Sequence, residues 1–174
     1  MNLHHKLLLP FFAILLFLPS CNNPLFSDEE DEPKDDPKFF HCLVNGEEFE
    51  PDGSVGTYPS NPYAKYDERY GGLSISAINI DNNNELIRLA ADGSVYEVGK
   101  YDMLYFSAYA FGNLGVDKER YLLDTTLSYQ LLISKLDIEE DRIEGTFHGT
   151  FVNEKDSTDI VEITNGAFSL TYYL

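Results

Sequence analysis

The sequence predicts an all-β protein, an antiparallel β-sandwich of about 8–10 strands with a barrel-like closure as the variant. From Phe39 onward, apolar and polar residues alternate with a period of two, as they do in half-buried strands. Asn, Asp and Gly turn signals interrupt this alternation roughly every eight to twelve residues, which is typical of sandwiches and barrels. No stretch keeps a helical period for more than about two turns.

Residues 1–20, which precede this domain, are expected to be a signal peptide. An apolar stretch at residues 7–18 follows Lys6 and contains Pro10. As a helix, this stretch is only roughly 18 Å long, whereas a bilayer core needs about 30 Å, so a permanent span is not expected. A short basic segment before an apolar one of this length is typical of secretory signals.

The signal ends in Leu18-Pro19-Ser20-Cys21, where a small-x-small cleavage site would otherwise lie. This stretch resembles the lipobox of bacterial lipoproteins: an aliphatic, a variable and a small residue before an invariant cysteine. The resemblance implies cleavage before Cys21 and acylation of its sulfur and its amine. Pro19 departs from the usual small or aliphatic residue, and a chance cysteine beside an uncleaved anchor is the alternative. Two or more acyl chains anchor a protein firmly, so Cys21 is the expected lipidation site.

Residues 21–38 are expected to be a lipidated cysteine followed by an acidic, disordered tether. After Cys21 the segment holds three prolines and seven carboxylates in seventeen residues, a composition that buries little apolar surface. Fully extended, it reaches roughly 55–60 Å. The acidic run at residues 27–31 is similar to the surface-export signals of some Gram-negative lipoproteins. We therefore expect lipid anchoring in the outer membrane with surface exposure; a periplasmic face, with the run as a plain solvated linker, is the alternative.

The predicted sandwich, residues 39–174, opens with a hairpin. Two apolar segments flank Asn45-Gly46, and a type I′ turn needs positive φ at both of its central residues. Residues 73–77 alternate before Ile78 falls out of phase, which suggests a β-bulge. Turn signals at residues 81–84 and 92–94 then lead into the strands ELIRLAAD and VYEV. The stretches MLYFSAYAF and TLSYQLLISKL predict two more strands.

The last two strands show the clearest alternation. In IEGTFHGTFV, residues 143–152, the apolar residues and glycines share one face, and His148 lies with the threonines on the other. A second Asn-Gly pair, Asn165-Gly166, predicts a second hairpin. One face of the final strand is expected to carry Phe168, Leu170, Tyr172 and Leu174.

Three stretches, VNGEEF, ISKLDIEEDRIEGTFHGTF and EITNGAFSL, carry a resemblance to a known group. They resemble an uncharacterised family of small Gram-negative lipoproteins, a domain of unknown function with VNGxxF and ITNGxFxL hairpins. The resemblance covers most of residues 39–174, and it is strongest from the turn at Asp137 to Gly166. It implies a fold and a location but no activity, because the family has none assigned.

Charge restricts the partners. The chain has 30 acidic residues against 12 basic ones and a formal net charge of −18. Such a surface repels nucleic acid and anionic lipid, so no nucleic-acid partner is expected and the membrane is reached through the lipid anchor. Cationic partners and weak, unspecific Ca²⁺ binding are favoured.

Residues that could carry chemistry form no convincing set. Asp81, Asn83 and Glu85 have the spacing of a Ca²⁺ loop, but Leu86 occupies the place of its glycine. His41 and Cys42 are neighbours on a strand and point to opposite faces, so they do not share a zinc ion. Cys42 is expected to be a buried, inert thiol. The sequence lacks a nucleophile elbow, a P-loop and a dinucleotide fingerprint, so we expect no cofactor, metal site or catalytic residue.

Residues 52–72 stand out because they lack a clear strand period, and long loops in compact domains are often functional. Tyrosine offers a flat apolar face and a hydroxyl group, which suits contacts with protein or glycan. A structural alternative is that these tyrosines cap one end of the sandwich. The absence of Trp weakens the glycan version. The candidate ligand-binding residues are Tyr58, Tyr63, Tyr66, Arg69 and Tyr70.

Three functions follow from these observations, in order of preference. The first is a non-catalytic binding or interaction module displayed on its tether, with an unknown ligand. The second is a structural or assembly subunit of an envelope or fimbria-like complex. The third is a hydrolase with an unrecognised carboxylate site. It ranks last because, with 30 acidic residues, some carboxylates lie close together by chance, so a close pair carries almost no information.

Overall fold

Eleven strands run through the part of the chain that the computed structural model describes, namely residues 38–52, 61–80, 84–104, 107–111 and 119–174. They are β1 (Phe39–Val44), β2 (Glu47–Phe49), β3 (Tyr63–Asp67), β4 (Gly72–Asn79), β5 (Glu85–Ala90), β6 (Gly99–Tyr101), β7 (Ala108–Phe111), β8 (Glu119–Leu123), β9 (Gln130–Asp137), β10 (Arg142–Asn153) and β11 (Ile160–Tyr173). Within these residues no helix is long and apolar enough to cross a membrane. The predicted signal peptide, Cys21 and the tether up to residue 37 lie outside them.

The strands form one mixed sheet, and its pairing closes on itself. The sheet order is β2-β1-β11-β3-β4-β5-β7-β8-β10-β9-β6, and β10 also pairs with β11. This additional pairing closes the ring β11-β3-β4-β5-β7-β8-β10, from which β1–β2 and β9–β6 extend. The all-β prediction is confirmed, with the barrel-like closure that was its variant. Among the described strands, only β11 and β3 pair in parallel.

The long strands β10 and β11 contribute much of the core. Ile143, Phe147 and Phe151 are buried on one face of β10, as the alternation predicted. Gly145 lies between them because there is no room for a side chain: a Cβ there would lie 2.7 Å from Cζ of Phe168 and would also collide with a backbone carbonyl. The glycine therefore lets β9 and β11 pack closely on either side of β10.

The first hairpin is confirmed. Asn45 and Gly46 have φ values of 51° and 84°, and they connect β1 to β2. The turn is also fixed to β11, since the Asn45 backbone N–H donates to the Glu162 carbonyl oxygen at 2.8 Å. In return the Glu162 N–H donates to Oδ1 of Asn45 at 2.8 Å. Asn45 therefore supplies both the turn conformation and a contact with a third strand.

The second predicted hairpin is wrong. β11 continues through Asn165 and Gly166 without reversing. Opposite β10, Gly166 pairs with Phe147 and Ile163 pairs with Gly149, so β11 has one extra residue at this point. Asn165 has φ 51°, and the Asn-Gly pair forms a β-bulge in the interior of the sheet.

The predicted bulge at Ile78 is also wrong, since β4 pairs with β3 and β5 in unbroken register. Ile78 is buried although it lies on the face opposite the core residues Ile75 and Ala77. The Asn61 side chain covers this position: its Nδ2 donates to the Ile78 carbonyl oxygen at 2.6 Å, and the Ile78 N–H donates to its Oδ1 at 2.9 Å. Ile78 is therefore an apolar residue on a face that otherwise carries Ser74 and Ser76, at the position where Asn61 is bound to the strand.

Candidate functional site

The structure divides four of the five candidate residues between a strand and a turn. Tyr58 lies outside the described residues. Tyr63 and Tyr66 belong to β3, so the prediction of a continuous loop over residues 52–72 is wrong for this part. β3 spans only five residues, and Pro62 directly before it obscures the alternation. Tyr63 is half-buried, whereas Arg69 and Tyr70 are exposed in the turn between β3 and β4.

Tyr66 is a core residue, so it is corrected here as a ligand-binding candidate. Its side chain is 1% exposed, and its hydroxyl donates to the Val95 carbonyl oxygen at 2.6 Å. Its ring meets that of Tyr172 edge-on, with the centroids 5.0 Å apart. Burial raises the pKa of Tyr66, and the nearby Tyr96 hydroxyl and Glu68 carboxylate raise it further. Tyr66 therefore caps the core, which was the structural alternative for these tyrosines.

Arg69 and Tyr70 join two residues from another segment in an exposed group that we call the tyrosine corner, defined as Arg69, Tyr70, Tyr96 and Val98. The exposed fractions are 69% for Tyr70, 57% for Tyr96 and 56% for Val98. The Tyr96 hydroxyl donates to the Arg69 carbonyl oxygen at 3.3 Å. The Arg69 guanidinium lies over the Tyr70 ring, 5.5 Å from its centroid.

Close packing of the backbone holds the two segments of the corner together. The Val95 N–H donates to the Gly71 carbonyl oxygen at 2.8 Å, and Oγ of Ser94 donates to the Tyr70 carbonyl oxygen at 2.6 Å. Gly71 has φ +65°, and a Cβ there would lie 2.8 Å from the Val95 nitrogen. Glycine is therefore required both for the turn and for the approach of the second segment.

The residues that sequence reasoning missed are Tyr96 and Val98. The stretch VYEV suggested a strand, but residues 94–98 are irregular and connect β5 to β6 across the end of the sheet. Val95 is buried in the core, whereas the next three residues are all exposed. The one available signal was that Tyr96 and Val98 are two residues apart, so that in an extended chain both point to the side opposite Val95.

Carboxylates surround the corner. Asp67 contacts Arg69, with Oδ1 3.5 Å from Nε. Although burial acts to raise the pKa of Asp67, hydrogen bonds from the Arg69 side chain and backbone hold it below its ordinary value. Asp67 is half-buried, whereas Glu68, Asp92 and Glu97 are exposed on the same two segments. The corner is thus an aromatic surface with an acidic rim.

Apart from the corner, a concave feature lies where β1 and β2 approach β5 and β7. It is a cavity of about 220 Å³, and its polar lining comprises Asn45, Glu47, Glu48, Glu85 and Tyr109. The Tyr109 hydroxyl donates to Oε1 of Glu85 at 2.9 Å. Burial raises the pKa of Tyr109 strongly, and the Glu85 carboxylate adds to this effect. Glu85, a residue of the Ca²⁺-like spacing, is therefore engaged in this internal bond.

The remaining chemistry-bearing residues are scattered. Cys42 is buried, as predicted, and burial followed by the charge of Glu85 raises the pKa of its thiol to about 12. His41 is exposed and stacks on Phe39 with ring centroids 5.6 Å apart. Nε2 of His148 lies 3.5 Å from the Ser128 hydroxyl. Within the described ranges no three His, Cys, Asp or Glu side chains are grouped to hold a metal ion.

Comparisons with protein-family models, with curated proteins and with solved structures find no match. The resemblance to small Gram-negative lipoproteins therefore stays a prediction.

Proposed function

We propose that this chain is a lipid-anchored outer-membrane protein displayed at the cell surface, and that its β domain is a non-catalytic binding module. The contact surface is the tyrosine corner. One observation carries this proposal: Tyr70 and Tyr96 are both largely exposed, although hydrogen bonds from Ser94, Val95 and Tyr96 hold together the two segments on which they lie.

Fixed exposed tyrosines favour binding for a thermodynamic reason. A flexible loop loses conformational freedom when it binds, and that cost reduces affinity. Here the contacts of Ser94, Val95 and Gly71 have already ordered the two segments in the folded domain. A tyrosine ring has few rotatable bonds and buries a large area on contact. Binding at the corner therefore loses little conformational freedom, and less of the contact free energy is offset by that loss.

The two other functions have weaker support. A strand-exchange subunit needs a strand that can leave and be replaced, but β11 lies between β10 on one side and β1 and β3 on the other. A carboxylate hydrolase would draw on the acidic cavity, where Glu85 is already hydrogen-bonded to Tyr109. Neither alternative explains why tyrosines are held in the open at the corner.

The anchoring part of the proposal is tested at Cys21. We expect mass spectrometry of the native protein to find an N-terminal Cys21 carrying a diacylglyceryl thioether and an amide-linked acyl chain. A Cys21→Ser chain should leave the membrane fraction. An unmodified Cys21, or one still joined to residue 20, would contradict the anchoring and the placement that depends on it.

The binding part is tested by crosslinking in intact cells. A photo-reactive residue at position 96 of the full chain should crosslink to a defined partner, and Tyr70→Ala should reduce the yield about tenfold or more if Tyr70 is a hot spot. A photo-reactive residue at Leu127, which is also exposed, is the matched control and should give no such product. Equal products from positions 96 and 127 would refute the corner as the contact surface.

A further inference from the structure

We infer that the tyrosine corner recognises a basic polypeptide segment, through Lys or Arg side chains that lie on Tyr70 and Tyr96 and reach the carboxylates around them. This inference rests on the proposed binding function and adds the class of its partner. It is drawn from the charges at the corner, from an interaction within the corner and from the position of the corner on the domain.

The charges around the corner favour a cation. Three exposed carboxylates belong to its two segments, those of Glu68, Asp92 and Glu97, while that of the half-buried Asp67 contacts Arg69. The guanidinium of Arg69 is already engaged, since it contacts Asp67 and lies over the Tyr70 ring. Complementary charge speeds the encounter of two proteins and selects between partners, so a basic segment is favoured over an acidic or neutral one.

Arg69 already makes, within the corner, the two kinds of contact that we infer for the partner: one with an aromatic ring and one with a carboxylate. Its guanidinium lies 5.5 Å from the Tyr70 centroid and 3.5 Å from a carboxylate oxygen of Asp67. Cations are attracted to the faces of aromatic rings, and the aliphatic stems of Lys and Arg pack well on apolar surface. Tyr96 and Val98 offer further exposed apolar area with Glu97 between them in sequence. A Lys or Arg from a partner can make the same pair of contacts there.

The position of the corner makes a lipid surface the main competitor. The chain enters the domain at Phe39, which pairs with Ser169 towards the C-terminal end of β11. β3 runs parallel to β11 from the Tyr172 pair, and it leads to the turn that contains Tyr70. Phe39 and the corner therefore lie towards the same end of the domain. Anionic lipid would nevertheless be repelled by the carboxylates, whereas a basic protein segment near the membrane would be attracted.

The test uses the full chain with Cys21→Ser and three fluorescein-labelled octapeptides of alternating sequence: Lys-Ser, Glu-Ser and Gly-Ser. Fluorescence anisotropy should detect binding of the Lys-Ser peptide alone, weakening as salt is added. The double variant Tyr70→Ala/Tyr96→Ala should raise its Kd about tenfold or more. Leu127→Ala, which removes an exposed apolar side chain elsewhere at unchanged charge, should leave the Kd unaltered.

Other results overturn the inference. If the double variant and Leu127→Ala bind the Lys-Ser peptide equally, the attraction is general to the acidic surface. If the Gly-Ser or Glu-Ser peptide binds as well as the Lys-Ser peptide, the partner is not basic. If vesicles of phosphatidylethanolamine with some phosphatidylglycerol bind the chain through Tyr70 and Tyr96, lipid is the occupant. A crosslink from position 96 to a partner segment without Lys or Arg would refute this inference and leave the binding function standing.

Discussion

Tyr66 and Tyr70 lie four residues apart, and their hydroxyl groups have opposite environments. Tyr66 donates to the Val95 carbonyl oxygen at 2.6 Å in the core, whereas Tyr70 is 69% exposed. The bond from Tyr66 therefore ties β3 to the segment that carries Tyr96. A single buried hydroxyl thus helps to shape the exposed corner.

Tyr66→Phe should lower the free energy of unfolding by about 1–2 kcal/mol, because the Val95 carbonyl loses its buried donor. Tyr70→Phe removes an exposed hydroxyl and should change it by less than about 0.5 kcal/mol. Urea unfolding of the two variants beside the parent measures both values. Equal losses would show that the Tyr66 bond adds nothing to stability.

Two Asp-x-Thr turns carry a pH dependence of local origin. Oδ1 of Asp124 accepts hydrogen bonds from the Thr126 hydroxyl at 2.6 Å and from its N–H at 2.8 Å, and Asp156 repeats the arrangement with Thr158. These bonds lower the pKa of both aspartates. A lowered folded-state pKa means that the ionised form stabilises the turn above the ordinary value of 3.8, and that this stabilisation is lost as the pH falls through the folded-state pKa.

Thr126→Val should therefore raise the pKa of Asp124 towards its ordinary value, because the hydroxyl donor is gone while the backbone N–H remains. Carboxyl carbon NMR during an acid titration measures this pKa directly. Asp156 is the internal control, and its pKa should stay low in the same sample. An unchanged Asp124 would mean that the backbone N–H alone accounts for the effect.

At the scale of elements, the same dipeptide serves two purposes. Asn45 and Asn165 have identical φ values of 51°, yet Asn45 reverses the chain while Asn165 is the extra residue of a bulge. Asn-Gly predicts positive φ at both of its residues, which is right for Asn45, Gly46 and Asn165 but not for Gly166. Whether the chain then turns back depends on the pairing of β11 with the preceding strand β10 and with β1, which is distant in sequence.

The bulge predicts which substitutions at Asn165 the fold tolerates. Asn165→Gly should be tolerated, because glycine adopts positive φ without steric cost. Asn165→Val should lower the free energy of unfolding by about 1–2 kcal/mol, since a β-branched side chain is strained there. Equilibrium unfolding in urea compares the two variants. If valine were tolerated as well as glycine, the left-handed conformation at this position would be wrong.

The limits of sequence reasoning follow the same division between local and distant contacts. The alternation of β10 and the turn at Asn45 are local patterns, and both were predicted. The three-residue strands β2 and β6 are too short to show a period. The corner was only half found, because Tyr96 comes next to Arg69 through a segment that crosses from β5 to β6. No pattern in sequence links those residues.

At the scale of the whole domain, the strand pairings that close the ring of strands differ greatly in length. β10 and β11 pair along nearly their whole lengths, from Arg142 to Val152. By contrast, β11 meets β3 only at Tyr172 and Tyr173, and β8 meets β10 only around Phe151. The joint between β11 and β3 supports the corner, because β3 leads directly into its turn. Because few backbone hydrogen bonds join β11 to β3, side-chain contacts must stabilise this pairing.

Tyr172 is the side chain placed to do this. It is buried, its ring meets Tyr66 at 5.0 Å, and its hydroxyl lies 3.5 Å from Oε1 of Glu68. Tyr172→Ala should lower the free energy of unfolding by about 3–5 kcal/mol, the usual cost of removing a buried aromatic ring. Tyr172→Phe keeps the ring and should lose about 1 kcal/mol or less, because only the long hydrogen bond disappears. Leu174→Ala, at the exposed end of the chain, is the control.

Hydrogen exchange separates a local effect at this joint from a global loss of stability. In Tyr172→Ala, the amides of β3 should exchange faster than the remaining global stability predicts, because the closed ring of strands opens first where β11 meets β3. Amides in the middle of β10 and β11 should exchange only by global unfolding. If amide exchange becomes faster to the same extent in β3, β10 and β11, the closed ring of strands opens as a single unit. The conformation of the corner would then depend on the whole domain and not on the pairing of β11 with β3.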